Sequence, residues 1–208
     1  MIESTLLLIS AYLLGSVSFA ILVARVYGLP DPRSHGSGNP GATNMLRTGK
    51  KSAAALTLLG DALKGYLAVI LAQWVTTAYG LPSYVPYLAA LAAFLGHLYP
   101  VFFGFKGGKG VATALGVLLA LDIRLGGLTI LTWGVVFAIT RVSSLSALVA
   151  ATLAPVYGYY LLADGQDKGP ESLFLAGILA LLSVLVLARH RSNIRKLISG
   201  EESAFKKR

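Results

Sequence analysis

The stretch Gly96–Gly116, GHLYPVFFGFKGGKGVATALG, has a basic, glycine-rich centre with apolar sequence on each side. Because glycine has no Cβ, backbone N–H groups can converge there on an oxyanion, and lysine adds a point charge. A helix is predicted to begin at about Gly110–Val111, so its positive end would face a bound anion. The stretch predicts an anion-binding loop, or else a basic loop that only marks the cytoplasmic side. Its centre contains two lysines and four glycines: Lys106, Lys109, Gly104, Gly107, Gly108 and Gly110.

The composition is that of an integral membrane protein. Of 208 residues, 55% are hydrophobic and 13% are charged, whereas a soluble domain carries about 25% charged residues. There is no cysteine, which excludes disulfides and thiolate nucleophiles. His35, His97 and His190 lack metal-ligand spacing, so we expect no metal. We also expect no cofactor. The net charge of +9 favours anionic lipid or an anionic substrate over nucleic acid.

Seven apolar runs separated by polar loops predict an all-α, polytopic membrane helix bundle that forms a single domain over residues 1–208. A full span takes about 20 residues, so the fourth and fifth runs are short and either cross the membrane or form a re-entrant pair. Crossing is favoured because a dip would bury Asp122 and Arg124. The runs are Ser4–Ala24, Ala53–Tyr79, Val85–Phe103, Gly110–Leu121, Gly126–Thr140, Val142–Ala163 and Ser172–Ala188.

Basic residues are distributed unequally between the two sides of this bundle. Of the 18 Lys and Arg residues, 15 fall on one side, Arg124 and Lys168 on the other, and Lys64 within a span. The positive-inside rule then predicts an external N-terminus and a cytoplasmic C-terminus, with Gly80–Pro86 and Asp164–Glu171 outside. The start of the chain lacks the basic region of a cleaved signal peptide, so the first helix is expected to be retained.

The loop after the first span, His35–Arg47, combines small residues with hydrogen-bonding side chains. Arg47 offers a planar guanidinium that suits a phosphate. A purely structural loop, in which Asn44 or Thr43 caps a short helix, is the alternative. The candidate ligands in this loop are Ser37, Asn39, Thr43, Asn44 and Arg47.

Two further polar segments lie on the same predicted side. Arg141–Ser146 is basic and rich in hydroxyls, although Ser143 or Ser144 would serve equally well as a helix cap. In the tail, His190 and Asn193 are spaced i,i+3 and share one helix face, which makes His190 a candidate base or hydrogen-bond donor. A tail of this kind also suits contact with lipid. Asp61 and Lys64, within the second span, have the same spacing and are expected to pair.

Several catalytic signatures are missing from the sequence. A nucleotide P-loop ending at Lys109 would need glycine at Phe103 and Ser or Thr at Gly110. There is no GxSxG elbow, and no histidine is followed five positions later by aspartate, the pair that marks the common glycerolipid acyltransferases. From the residues alone, the sequence indicates an anion-binding, one-sided polar surface on a membrane protein.

The chain resembles the bacterial membrane-embedded acyl-phosphate:glycerol-3-phosphate acyltransferases over nearly its whole length. The similarity lies in five segments that occur in the expected order. They are GSGNPGATNMLR (Gly36–Arg47), DALKG (Asp61–Gly65), GHLYPVFFGFKGGKGVAT (Gly96–Thr113), SLSA (Ser144–Ala147) and HRSNIRKLISGEE (His190–Glu202).

The resemblance implies acyl transfer from acyl phosphate to the 1-hydroxyl of glycerol 3-phosphate. The products would be lysophosphatidate and phosphate, in the first acylation of phospholipid synthesis, and either His190 or the donor phosphate would take the hydroxyl proton. The implied catalytic residues are His190, Lys109, Ser144 and Arg47. The implied substrate-binding residues are Ser37, Asn39, Thr43, Asn44, Lys106, Gly107, Gly108, Gly110 and Asn193.

The resemblance further implies a multi-pass protein of the bacterial inner membrane, in contact with membrane lipid and with its site at the cytoplasmic face. We expect a monomer. The competing interpretation is a membrane carrier of an organic phosphate. A carrier, however, places polar residues near the middle of the bilayer in broken helices, whereas the polar segments here gather at one surface.

Overall fold

The structure, a computed structural model, describes residues 1–163 and 170–205. All regular secondary structure in these residues is helical, which confirms the all-α prediction. A short 3₁₀ helix, Val101–Phe103, precedes the glycine-rich loop. The α-helices are α1 (Ile2–Gly15), α2 (Phe19–Val26), α3 (Ala42–Leu46), α4 (Lys51–Tyr79), α5 (Val85–Leu98), α6 (Val111–Leu121), α7 (Ile123–Thr140), α8 (Ser143–Ala163), α9 (Pro170–Arg189) and α10 (Arg191–Ile198).

The helices fall into two compact units, Met1–Leu121 with α1 to α6 and Asp122–Arg208 with α7 to α10. A single domain over residues 1–208 stays a prediction. Residues 164–169 of the predicted external loop, and the last three basic residues of the tail, lie outside the described residues.

By length and composition, four described helical segments can cross a membrane, and two bent helix pairs raise the number to six. The bent pairs are α1 with α2, at 43°, and α9 with α10, at 61°. Helix α6 has 11 residues, too few to cross alone, so the predicted number of about seven is reached only by including it. The four segments are Lys51–Tyr79, Val85–Phe103, Ile123–Thr140 and Ser143–Leu161.

The predicted first span, Ser4–Ala24, is broken between α1 and α2. The Ser16 hydroxyl donates to the Tyr12 carbonyl, 2.9 Å away, and the Lys64 ammonium donates to the Val17 carbonyl at 2.5 Å. A carbonyl released from a helix inside a membrane bundle needs another donor. Lys64 supplies that donor, which makes the break tolerable.

Helix α4 lies at the centre of the first unit and packs against all five of its other α-helices. The helices approach closely where glycines replace larger residues: a Cβ at Gly65 would overlap the Thr113 carbonyl, and one at Gly116 would overlap the Ala62 carbonyl. Small residues at helix contacts are the usual means of close packing in membranes. The contacts hold α6, and with it Thr113, directly against α4.

In the second unit, α8 packs against both α7 and α9. Helix α7 begins at Ile123, three residues before the predicted run, because the Asp122 carboxylate caps it by accepting from the Arg124 amide at 2.7 Å. The tail returns to the end of α7, where the Phe205 amide donates to the Arg141 carbonyl at 2.9 Å. His190 lies at the bend between α9 and α10.

Candidate active site

Asn44 holds the loop after α2 in shape. Its amide nitrogen donates to the Pro32 carbonyl at 2.7 Å and to the His35 carbonyl at 3.2 Å. Its carbonyl oxygen accepts from the Ser37 amide at 3.0 Å. The side chain is buried. The Asn44 amide group therefore makes three hydrogen bonds within the loop itself.

Helix α3 begins differently from the predicted alternative. Its N-cap is Gly41, without a side-chain cap, and Thr43 and Asn44 lie within the helix. Capping by Asn44 or Thr43 was therefore the wrong interpretation, because the chain turns into α3 two residues earlier. The Ser37, Thr43 and Arg47 side chains are exposed and that of Asn39 is half-buried, so this loop presents hydroxyl and guanidinium donors outwards.

The glycines of the Gly107–Gly110 loop are required for packing on α5. A Cβ at Gly107 would overlap the His97 carbonyl, one at Gly108 the His97 ring, and one at Gly110 the Phe94 ring. The Gly108 amide also donates to the His97 carbonyl at 3.2 Å. Gly108 therefore shapes the loop, and its predicted role in substrate binding stays a prediction.

The two predicted ligand loops of the first unit adjoin each other. A Cβ at Gly108 would lie 3.0 Å from the Pro40 carbonyl. The Arg33 guanidinium donates to the Phe103 carbonyl at 3.2 Å and pairs with Asp31 at 2.7 Å. The hydrogen bond from Arg33 lowers the pKa of the Asp31 carboxyl, and the lowered pKa keeps this ion pair charged.

The structure therefore brings the predicted ligands of residues 37–47 and of the glycine-rich loop onto neighbouring loops. In the second of these loops, Lys106 is exposed and Lys109 is half-buried.

A buried polar cluster lies beneath these loops, and only part of it was predicted. Asp61 and Lys64 pair as expected, with 2.9 Å between Oδ1 and Nζ. His97 joins them, its Nδ1 lying 3.6 Å from Asp61 Oδ1 and 3.1 Å from the Thr113 hydroxyl. The signal in the sequence was an ionisable pair inside a span. Nothing in the spacing linked that pair to His97 and Thr113, which lie 36 and 52 positions after Asp61.

In the second unit, His190 is buried and its orientation is fixed. Its Nδ1 lies 2.8 Å from the Val186 carbonyl. A carbonyl can only accept, so Nδ1 carries the proton and Nε2 is the basic nitrogen of the neutral ring. A histidine in this tautomer can accept a proton at Nε2, as a general base must.

The predicted residues Ser144 and Asn193 share one partner, the Glu202 carboxylate. The Ser144 hydroxyl and the Asn193 amide each donate to Glu202 Oε1 at 2.6 Å. The acceptor is charged, which strengthens both bonds. Glu202 thus holds two predicted site residues in fixed positions, and it was not itself predicted. The signal for it was an acidic pair, Glu201 and Glu202, directly after a strongly basic tail.

Comparison with known proteins decides the family. The model of a family described as glycerol-3-phosphate acyltransferase matches residues 5–200. The chain belongs to the glycerol-3-phosphate acyltransferase family. It is 58% identical over 206 residues to the glycerol-3-phosphate acyltransferase of Methylobacillus flagellatus, covering 99% of each chain. It is 56% identical over 203 residues to that of Thiobacillus denitrificans, covering 98% of each.

Solved structures of a glycerol-3-phosphate acyltransferase share the fold. The crystal structure of PlsY, an integral membrane glycerol 3-phosphate acyltransferase, in its glycerol 3-phosphate form matches with a TM-score of 0.85 and 37% identity, covering 98% of this chain and 96% of PlsY. Its lysophosphatidic acid form matches with a TM-score of 0.83 and 36% identity. The chain is thus a membrane protein of the acyltransferase family, which sets aside the carrier interpretation.

We expect Glu202→Ala to remove most of the acyltransferase activity and to lower the melting temperature in detergent. Two charge-assisted hydrogen bonds are lost, each contributing about 1.5–3 kcal/mol. Glu201→Ala is the matched control because Glu201 is exposed. Activity assays and thermal unfolding of the two purified variants test this. Equal effects from both substitutions would contradict a specific role for Glu202.

Proposed function

We propose that the protein transfers an acyl group from acyl phosphate to the 1-hydroxyl of glycerol 3-phosphate, giving lysophosphatidate and phosphate. Membership of the glycerol-3-phosphate acyltransferase family carries the proposal. The PlsY forms with glycerol 3-phosphate and lysophosphatidic acid support this acceptor and product. Acyl phosphate is the donor that best suits a chain without cysteine, serine elbow or His-x4-Asp pair.

The reaction needs no covalent intermediate, because acyl phosphate is already an activated mixed anhydride. The acceptor oxygen bonds to the acyl carbon, the bond from that carbon to the phosphate oxygen breaks, and phosphate leaves. Orientation of the two substrates can supply about 7–11 kcal/mol of the reduction in barrier. Cationic and amide donors would stabilise the charge that develops on the leaving phosphate.

Both substrates carry phosphate, so two sets of donors are required. We assign acyl phosphate to Ser37, Asn39, Thr43 and the Gly107–Gly110 loop. This assignment is supported by the contact between the loop of residues 37–47 and the Gly107–Gly110 loop. The Ser37 and Thr43 side chains are exposed and that of Asn39 is half-buried. For glycerol 3-phosphate we propose Arg47, Lys109, Ser144, His190 and Asn193.

His190 is proposed as the general base that takes the proton of the 1-hydroxyl. The Val186 carbonyl fixes the proton on Nδ1 and makes Nε2 basic. The Lys109 and Arg47 side chains offer N–H donors only, so they would bind phosphate instead. The donor phosphate is the competing proton acceptor.

The substitution His190→Asn separates these possibilities, because its amide N–H can replace Nδ1–H towards Val186 while the basic nitrogen is lost. We expect a fall in kcat of about 10²- to 10⁴-fold, as for removal of a general base. Steady-state kinetics test this, with Ser192→Ala, an exposed neighbour, as the control. A rise confined to the KM for glycerol 3-phosphate would make His190 a binding residue and leave proton transfer to the donor.

The donor assignment predicts a strict choice between two substrates. Purified protein should form lysophosphatidate and an equal amount of phosphate from a long-chain acyl phosphate and glycerol 3-phosphate. A matched acyl-CoA, with the same chain, should give no product because its thioester lacks the phosphate that the donors bind. Mass spectrometry of the lipid product and a phosphate assay measure both. Robust synthesis of lysophosphatidate from acyl-CoA would contradict the assignment of acyl phosphate as the donor.

We also propose that the protein is a monomer of the bacterial inner membrane, with its active site at the cytoplasmic face. The excess of Lys and Arg in one set of loops supports this orientation.

Because the chain has no cysteine, single cysteines report topology directly. With an external N-terminus, an impermeant thiol reagent applied to intact spheroplasts should label Ser83→Cys and spare Lys50→Cys, both at exposed positions. Permeabilised cells, in which both sites react, are the control. Labelling of Lys50→Cys alone in intact cells would reverse the orientation.

A further inference from the structure

Four buried side chains of the first unit form a connected polar cluster beneath the glycine-rich loop. Asp61, Lys64, His97 and Thr113 are each less than one tenth exposed. Asp61 Oδ1 lies 2.9 Å from the Lys64 ammonium and 3.6 Å from His97 Nδ1, and the Thr113 hydroxyl lies 3.1 Å from that same nitrogen. The cluster joins α4, α5 and α6, because each helix contributes at least one member.

Stability alone does not call for such a cluster. Burying ionisable groups in a helix bundle is costly, and apolar residues of similar volume often pack with equal or greater stability. What such a cluster supplies in addition is direction, since the Thr113–His97 hydrogen bond and the close contacts of Asp61 Oδ1 with Lys64 and His97 hold their partners in place. The role of the cluster therefore depends on which part of the molecule it orients.

His97 is the member that reaches the loop, and it does so through two groups. Its carbonyl accepts from the Gly108 amide at 3.2 Å. The Nε2 edge of its ring lies against Gly108, where even a single added Cβ would overlap it. The opposite edge of the ring, at Nδ1, faces Thr113 and Asp61. The ring therefore stands between the buried cluster and the loop and transmits its own orientation to Gly108.

We propose that His97 is a positioning residue for the Gly107–Gly110 loop, with Thr113 and the Asp61–Lys64 pair holding its ring. The inference rests on the proposed function, in which this loop binds phosphate. A ring released from Thr113 turns or shifts against Gly108, and the loop then presents its donors to a phosphate with poorer geometry. His97 itself takes no part in bond making.

The test is Thr113→Val, which keeps the shape of the side chain and removes the hydroxyl that bonds His97. We expect the Kd of orthophosphate, measured by calorimetry on the purified protein, to rise about 3- to 10-fold, as for loss of one hydrogen bond. The KM for the phosphate substrate that the loop binds should rise by a similar factor, with kcat and melting temperature nearly unchanged. Thr113→Ser retains the hydroxyl and should restore the wild-type Kd.

The matched control is Thr57→Val. Thr57 is also fully buried in the first unit, but its hydroxyl donates to the Ala53 carbonyl of its own helix at 2.8 Å. This variant should bind orthophosphate as the wild type does.

Two results would overturn the inference: a wild-type Kd in Thr113→Val, whether or not its melting temperature and kcat fall, or no rescue by Thr113→Ser. Phosphate binding is measured without turnover. A wild-type protein that binds phosphate but does not use acyl phosphate would therefore refute the donor and leave the role of His97 standing.

Discussion

The Lys64 ammonium joins the Asp61 carboxylate to the Val17 carbonyl, and much of the first unit depends on this bridge. It satisfies the carbonyl that the break between α1 and α2 exposes, and it neutralises a carboxylate buried in α4. It does both where water is scarce and an unpaired group would be expensive. Asp61 also lies 3.6 Å from His97, whose carbonyl accepts from the Gly108 amide. The Lys64 ammonium is thus linked both to the break between α1 and α2 and to the glycine-rich loop.

The features that the sequence predicted correctly are local ones. Hydrophobic runs and polar interruptions are written along the chain, so the all-α fold and most helix boundaries followed from them. The i,i+3 spacing of Asp61 and Lys64 predicted their contact because both lie on one helix face. The absence of cysteine and of nucleophile motifs likewise needs no structure to interpret.

The features that escaped prediction join residues far apart in the chain. The Ser4–Ala24 run is uncharged throughout, and the break within it is stabilised by Lys64, 47 positions after Val17. The hydrogen bond from Ser144 to Glu202, 58 positions further along the chain, could not be predicted from either residue. Asn44 looked like a helix cap because its amide suits that role, and only its contacts with Pro32, His35 and Ser37 show which groups it holds. Hydrogen-bonding capacity is readable in a sequence, whereas the choice of partner is set by the packing of helices.

The shortness of α6 bears on the depth at which the glycine-rich loop lies. Eleven residues rise roughly 16 Å, about half of a hydrocarbon layer some 30 Å thick. One end of α6 must then be recessed below a membrane surface. Charged residues flank both ends, with Lys106 and Lys109 before α6 and the exposed Asp122–Arg124 pair after it. Hydrocarbon would penalise either flank, so a helix this short requires that protein or water surround one of the two charged flanks within the depth of the bilayer.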